Sequence, residues 1–199
     1  MEAGLDPKIR ERNHAMIRVR SPRAAQRIMN AKTSVGFSLV ETDEGVPSGA
    51  LDGRALASKR RPMSEAEKFA GGYDPKQAAG ACVLGFGMGH HLAALHERIG
   101  SKGVVICFEP DLGLLRAVLE RVDHRAWLKK GRFLLATDPD DAAELLLPAV
   151  DGQDLHFGES RQVFVYRIVE AQTPLFDQHH DRSTGDGLGH GSHAEEGAI

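Results

Sequence analysis

One stretch, residues 81–111, constrains the fold of this chain more than any other. A short apolar run opens it, and a helical segment with leucines on one face follows the glycines. The glycines occupy alternate positions: Gly85, Gly87 and Gly89. A second apolar run then ends on Glu109. Strand, glycine turn, helix, strand and acid, in this order, are the layout of a βαβ nucleotide-binding unit.

The residue types of the glycine turn suit an anionic ligand. Glycine lacks Cβ, so the turn can adopt positive φ angles and let a ligand approach the backbone. The helix predicted to begin near Gly89 or His90 would direct its free N–H groups and positive dipole end at the turn. Glu109, at the end of the second strand, is placed to accept hydrogen bonds from ribose hydroxyls. Asp111 is either a second ligand or a helix cap. The candidate binding residues are Gly85, Gly87, Gly89, His90, Glu109 and Asp111.

The same turn departs from the two large classes of cofactor-binding motif. Its spacing is G-x-G-x-G, whereas the dinucleotide pattern is G-x-G-x-x-G. Methyltransferases that use S-adenosylmethionine usually carry an acid two positions before the first glycine, where this chain has Val83. The turn is therefore typical of a Rossmann-like fold without matching either cofactor class.

The repeat of strand and helix continues beyond Glu109. An amphipathic helix is predicted after Asp111, a third strand over 132–136 and another strand over 162–168. Such repeats imply right-handed crossovers and a parallel sheet. We predict an α/β fold with a Rossmann-like, mostly parallel sheet flanked by helices.

Three regions are predicted along the chain. Residues 1–33 form a basic helical segment, which is more often a packed surface helix than a phosphate-binding arm. Residues 34–171 form the Rossmann-like domain, whose first βαβ unit is 81–109 and whose first part, 34–50, contains a strand and a turn. Residues 172–199 have little apolar content, and we expect a disordered tail. The histidines of this tail lack partners at fixed spacing, so no metal site is predicted.

Composition narrows the class of protein. The chain has 199 residues, enough for one α/β domain with extensions. Its formal net charge of −3 at pH 7 argues against nucleic-acid binding by the whole chain. Cys82 and Cys107 fall in predicted buried strands, which favours a reducing compartment over a disulfide framework. No apolar run approaches a membrane helix, and the N-terminus lacks a signal-peptide apolar region. A cytoplasmic protein without a membrane partner is expected.

The motifs resemble a known family. Residues 84–92 (LGFGMGHHL) and 108–111 (FEPD), followed by Asp123 and Trp127-Leu128, are similar to the N-terminal domain of the motility accessory factor glycosyltransferases, which are associated with flagellin glycosylation. His91 matches a histidine of that family, and His90 stands where a tyrosine is frequent. Two further segments resemble parts of a motif that precedes the turn in the family: Leu56–Lys59 and Tyr73–Ala79. The resemblance covers roughly residues 35–170.

The resemblance implies a function that the residues alone do not. In the family, the Rossmann-like domain precedes a central domain similar to 6-hydroxymethylpterin diphosphokinases, which carries the presumed transferase site and a G-P-S-L-type motif. This chain has no such motif, so we expect an N-terminal domain, a fragment that is not catalytic alone. The implied ligand is a nucleotide-activated sugar, and the implied partner is flagellin or another protein acceptor.

Two alternatives stay open at this point. The chain could be a methyltransferase-like enzyme that binds S-adenosylmethionine through Gly85, Gly87 and Glu109. It could also be a non-catalytic binding module whose glycines serve only the packing of helix against strand. Binding of S-adenosylmethionine would distinguish the first alternative from a glycosyltransferase-associated domain.

Overall fold

The computed structural model describes residues 7–74, 80–101, 103–130 and 132–141, and the backbone of residues 164–167. The helices are α1 (Pro7–Arg20), α2 (Pro22–Asn30), α3 (Pro62–Gly71), α4 (His90–Ile99), α5 (Leu112–Leu119) and α6 (Arg125–Leu128). The strands are β1 (Phe37–Val40), β2 (Ser48–Leu51), β3 (Arg54–Ala55), β4 (Gly80–Leu84), β5 (Val104–Phe108), β6 (Arg132–Ala136) and β7 (Phe164–Arg167). All of them lie within one compact unit, Met1–Val169.

Strands β4 to β7 form one parallel sheet in the order β6-β5-β4-β7. The first three strands follow one another in one direction across the sheet, and β7 returns to the other side of β4. The order in which strands are added across the sheet therefore reverses between β4 and β7. Ligands of open α/β sheets bind beyond the carboxyl ends of the strands at such a switch point. The predicted α/β fold with a parallel sheet and flanking helices is confirmed.

The core lies between this sheet and the helices that flank it. The interior of the sheet is apolar, as expected for parallel strands covered on both faces. Val83, Val105 and Leu135 are fully buried on three neighbouring strands. Helix α4 adds Leu92 and Leu95 at helical spacing, both fully buried. Burial of each such side chain contributes about 1.5–3 kcal/mol to stability. Because most of these side chains come from β4, α4 and β5, the βαβ unit lies at the centre of the core.

A second, antiparallel sheet has the order β1-β2-β3. Strand β1 matches the strand predicted within 34–50. The turn expected to run through Gly49 ends earlier, because Ser48–Leu51 form β2 and pair with β1. The sequence analysis did not include the hairpin that joins β2 to β3. Its two loop residues, Asp52 and Gly53, have φ angles of 49° and 79°. Positive φ at both loop residues is the hairpin geometry that Asp-Gly favours.

Helices α1 and α2 pack onto the α/β core. Helix α1 contacts α5, α6 and β6, and α2 contacts α5. Ile17 and Ile28 are buried in the same core cluster as the parallel sheet. Arg116 of α5 donates hydrogen bonds from one guanidinium nitrogen to the carbonyls of Met29 (2.7 Å) and Ala31 (2.6 Å), which caps the end of α2. The basic N-terminal segment is therefore helical and packed.

Some sequence predictions concern residues that the structure does not describe. The disordered tail over 172–199 lies outside the described residues, and so do the boundary at residue 171 and most of the helix expected after β6. The boundary at residue 33 stays a prediction. Within the described ranges, no helix is both long and apolar enough to cross a membrane.

Candidate ligand-binding site

The glycine turn has the backbone geometry that its sequence predicts. Gly85, Gly87 and Gly89 have φ angles of 99°, 47° and 77°. Two backbone hydrogen bonds of 2.8 Å close the turn, from the Gly85 N–H to the Phe108 carbonyl and from the Gly89 N–H to the Phe86 carbonyl. Residues other than glycine rarely adopt such φ angles. The turn thus connects the end of β4 directly to the first residue of α4.

The N-terminus of α4 carries an uncompensated positive dipole end. The helix begins at His90, as predicted, and Gly89 occupies the N-cap position. Gly89 has no side chain that could accept a hydrogen bond from the first N–H groups, and the first turn of α4 contains no acidic residue. A helix end of this kind attracts an anion.

A cavity of about 420 Å³ lies beside the turn. It is enclosed by the segment that follows β3, by α3 and by the first turn of α4. A Cβ atom on Gly87 would lie 3.1 Å from the Leu56 carbonyl oxygen and 3.7 Å from Cε1 of His91, both of which belong to the lining. The glycine turn therefore packs against two residues of the cavity wall, although none of its glycines is a lining residue. Its lining residues are Ala55, Leu56, Ala57, Ser58, Lys59, Pro62, Glu65, Ala66, Phe69, His90 and His91.

Hydrogen bonds fix the wall of the cavity formed by residues 55–59. The Leu56 N–H donates to the Gly49 carbonyl at 2.9 Å, and the Ser48 hydroxyl donates to the Ala57 carbonyl at 3.0 Å. The Ser58 N–H donates to Oε2 of Glu65 on α3 at 2.6 Å. The wall is thus attached to both the small sheet and α3. A volume of this size falls within the range of small-molecule sites.

Two histidines line the cavity from the first turn of α4. Nε2 of His90 lies 2.7 Å from the Pro47 carbonyl oxygen, and Nε2 of His91 lies 3.3 Å from the Gly85 carbonyl oxygen. A carbonyl only accepts, so Nε2 is the donor in each ring and Nδ1 of a neutral ring is an acceptor. The pKa of His91 is lowered to about 4, chiefly by burial; the Gly85 hydrogen bond opposes this shift, and nearby His90 adds to it. His91 is therefore neutral at pH 7.

Glu109 lies beneath the turn, with 4% of its surface exposed. Oε2 accepts a hydrogen bond from the Phe86 N–H and Oε1 accepts one from the Asp111 N–H, both at 2.9 Å. Burial raises the pKa of the Glu109 carboxyl above its ordinary value, and these two hydrogen bonds oppose that rise. The carboxylate links two backbone segments at the carboxyl ends of β4 and β5. Its predicted contact with ribose stays a prediction.

Asp111 caps α5. Its Oδ1 accepts a hydrogen bond from the Leu114 N–H at 2.8 Å, which satisfies one of the free donors in the first turn of the helix. Of the two roles that the sequence left open, the cap is the one that the geometry displays. A contact between Asp111 and a ligand stays a prediction.

The last glycine of the turn packs against a histidine that the sequence analysis did not single out. His124 is buried, and its Nδ1 accepts a hydrogen bond from the indole N–H of Trp127 at 3.2 Å. A Cβ atom on Gly89 would lie 2.8 Å from Cε1 of His124, closer than side chains approach one another. Burial lowers the pKa of His124 to about 3, with a smaller effect from His90. Gly89 therefore has a packing role as well as its backbone role.

The structure brings part of the predicted set together. His90 lines the cavity, Gly87 lies against its wall at Leu56, and Gly85 begins the same turn. Sequence reasoning missed the wall over 55–59 as part of the site, together with Phe69 of α3. Leu56–Lys59 did carry a signal, because that segment had been matched to the family motif. Among the described residues, no three His, Cys, Asp or Glu side chains are grouped to hold a metal ion, and Cys82 and Cys107 are free thiols.

No protein-family model and no curated protein sequence matches this chain. Among solved structures, it is similar to the MAf glycosyltransferase from Magnetospirillum magneticum AMB-1, with 16% identity, a TM-score of 0.49 and coverage of 72% of this chain and 29% of that one. It is also similar to MNMC2 from Aquifex aeolicus, with 15% identity, a TM-score of 0.31 and coverage of 74% of this chain and 48% of that one. The chain spans less than a third of the length of the first protein and about half of the second.

Proposed function

We propose that this chain binds a nucleotide-type ligand in the cavity beside the glycine turn, with a phosphate group at the N-terminus of α4. The observation that carries the proposal is the position of Gly87 against the cavity wall: a Cβ atom there would lie 3.1 Å from the Leu56 carbonyl oxygen and 3.7 Å from Cε1 of His91. The turn lies at the carboxyl end of β4, beside the point where the strand order reverses. This is the position at which open α/β sheets bind nucleotides.

The lining of the cavity supports a ligand with a charged part and an apolar part. Lys59 is an exposed cation at its edge, and the first turn of α4 adds backbone donors. The opposite part of the lining is apolar and includes Pro62, Ala66 and Phe69. A phosphate would bind at the glycine side, and a base or sugar ring would pack on the apolar side. Glu65 on the lining would accept hydrogen bonds from sugar hydroxyls.

The family resemblance leads to a finer proposal. We propose that the ligand is a nucleotide-activated sugar and that the chain acts as the N-terminal domain of a cytoplasmic motility accessory factor-like glycosyltransferase, with flagellin or another protein as acceptor. Two segments that were matched to the family separately, Leu56–Lys59 and the 84–92 motif, supply lining residues to the same cavity. That convergence supports the proposal independently of overall fold.

Isothermal titration calorimetry with CMP, UDP, GDP, ADP and S-adenosylmethionine tests the binding proposal. We expect at least one nucleotide to bind the wild-type chain and the Gly87→Ala variant to weaken it about tenfold or more, because the new methyl group enters the cavity wall. Gly100→Ala is the matched control: Gly100 also has a positive φ, of 75°, and no described atom lies within 4 Å of its added Cβ.

The outcomes separate the competing functions. Equal loss of affinity in the two variants would show that backbone strain, not the site, controls binding. Binding of S-adenosylmethionine alone would favour the methyltransferase-like alternative. A folded protein that binds none of the five compounds would favour the non-catalytic module. For the finer proposal, a nucleotide-activated nonulosonic acid is expected to bind more tightly than its bare nucleotide.

A further inference from the structure

We infer that Glu109 is a positioning residue, which holds the glycine turn in its binding shape through the Phe86 N–H, and is not a ligand of ribose. This inference rests on the proposed function, because it assigns a role within the same site. It differs from the role that an acid at the end of the second strand has in dinucleotide-binding folds, where the carboxylate contacts the ribose hydroxyls.

The hydrogen bonds of Glu109 are the first reason. Phe86 lies between Gly85 and Gly87, so its N–H group belongs to the glycine turn itself. That N–H donates to Oε2 of Glu109 at 2.9 Å. The other oxygen, Oε1, accepts the N–H of Asp111 at 2.9 Å. Each carboxylate oxygen thus fixes one backbone segment, and one rigid side chain joins them.

The burial of Glu109 is the second reason. Only 4% of its surface is exposed, which leaves little of the carboxylate for a sugar to contact. Its backbone is fixed as well, because the Glu109 N–H donates to the Ala136 carbonyl of the neighbouring strand at 3.0 Å. A carboxylate that is buried and already accepts backbone N–H groups stabilises those groups at its own desolvation cost.

The surroundings of Phe86 explain why the turn needs this contact. The Phe86 ring is fully buried and packs edge-on against His124 and Phe133, with ring centroids 5.4 and 6.4 Å apart. The ring and the N–H therefore fix the residue from two sides. Gly85 and Gly87, on either side of it, have no side chains to restrict their backbone angles. Without Glu109, the Phe86 N–H would lose its partner, and this part of the turn would be held by the Phe86 ring and the two backbone hydrogen bonds of Gly85 and Gly89.

The chain of contacts continues from Glu109 into α5. Glu109 holds the Asp111 N–H, and Asp111 in turn caps α5 through the Leu114 N–H at 2.8 Å. The turn after β4 and the start of α5 are thereby set relative to each other by one carboxylate. A ligand contact through Glu109 would have to share the carboxylate with the Phe86 and Asp111 N–H groups.

The test compares Glu109→Gln with the matched control Glu67→Gln, which makes the same chemical change at an exposed position of α3. The first measurement is amide hydrogen exchange of Phe86 and Asp111. A glutamine has one acceptor oxygen, so its NH₂ group must face one of the two backbone donors. We expect at least one of these amides to exchange about tenfold faster or more, and neither to change in the control.

The second measurement is nucleotide affinity, at a temperature where far-UV circular dichroism shows each variant folded. The probes are the ribonucleotide of the CMP, UDP, GDP and ADP panel that binds the wild-type chain and its 2′-deoxy form. If Glu109 is a positioning residue, Glu109→Gln weakens the binding of both nucleotides by the same factor, about tenfold. Loss for the ribonucleotide alone would assign Glu109 to the ribose and overturn the inference, as would unchanged affinity for both.

Glu109→Asp keeps the test decisive if the glutamine variant does not fold. It preserves the charge and shortens the side chain by one methylene, so the carboxylate can no longer reach both donors. We expect faster exchange at Phe86 or Asp111 and the same equal loss for the two nucleotides. If no nucleotide binds the wild-type chain, the proposed function fails, while the exchange of Phe86 and Asp111 still decides whether Glu109 holds the turn.

Discussion

The side-chain Oδ1 of Asn13 accepts a hydrogen bond of 2.9 Å from the backbone N–H of His124, 111 positions later in the chain. The amide nitrogen of Asn13 also donates to the carbonyls of Leu119 (2.9 Å) and Val122 (2.7 Å). Asn13 is fully buried, and its one side chain bonds to all three backbone groups. Helix α1 thereby fixes the segment that holds His124 against Gly89.

Replacement of Asn13 by alanine is expected to lower the free energy of unfolding by about 3 kcal/mol, because it leaves buried backbone groups without partners. Urea denaturation followed by circular dichroism measures the change. Asn30→Ala at the exposed end of α2 is the control, with an expected effect within about 0.5 kcal/mol. Similar losses in the two variants would mean that Asn13 contributes no more than a surface residue.

Gly89→Ala and Gly53→Ala separate backbone strain from packing. Both glycines have φ angles near 80°, at 77° and 79°, but only the Cβ of Gly89 would meet His124. We expect Gly53→Ala to cost about 1 kcal/mol of stability and Gly89→Ala to cost about 1–3 kcal/mol more. The extra cost should shrink in a His124→Ala background, where the closest contact is gone and Phe86 Cε1, at 3.2 Å, is the remaining neighbour. An extra cost that persists there in full would have a cause other than His124.

The stability of the folded chain should fall in mild acid because His124 is protonated more readily in the unfolded chain. Its pKa in the folded chain, about 3, lies below the ordinary value of 6.5, so the unfolded chain takes up the proton first as the pH falls. The free energy of unfolding therefore declines between about pH 6.5 and pH 3, by at most about 1.4 kcal/mol per pH unit for this group. His124→Gln should flatten this slope in urea titrations from pH 7 to pH 4.5. An unchanged slope would show that other groups cause the decline.

The pKa of His91, about 4, makes a separate prediction for the site. The neutral ring donates from Nε2 to the Gly85 carbonyl, and Nδ1 stays unprotonated at neutral pH. NMR of ¹⁵N-labelled histidine should show one protonated nitrogen, Nε2, from pH 8 down to about pH 5. A doubly protonated ring at pH 6 would place a positive charge in the cavity and contradict the assignment.

The sequence predicted the β4–α4–β5 unit because its signals are local. Apolar runs mark the strands, leucines at helical spacing mark the buried face of α4, and the glycines between them mark the turn. The helix begins at His90, one residue beyond the N-cap glycine. Each of these features depends on neighbours within about ten positions, so no long-range information was required.

Other parts of the site depend on contacts between distant segments. Nothing in the sequence around Asn13 distinguishes a buried amide from a surface residue of a basic helix. Helix α3 had signals that were not used, since Pro62 stands at its first turn and Ala66 and Ala70 share its buried face. The β2–β3 hairpin also had an unused signal, the turn-forming pair Asp52-Gly53. The cavity itself is formed by three elements whose proximity no local pattern encodes.

The two sides of the cavity belong to structures with different sequence requirements. The glycine turn and α4 are tied to the parallel sheet, where a change in one strand disturbs the core. The wall over 55–59 follows a two-residue strand of the small sheet, attached by Leu56 to Gly49 and by Ser48 to Ala57. Under the proposed function, loop replacements there would alter ligand preference and leave the proposed phosphate side intact. An engineer could exchange residues 52–61 as a cassette and retain the N-terminus of α4, where we propose that the anion binds.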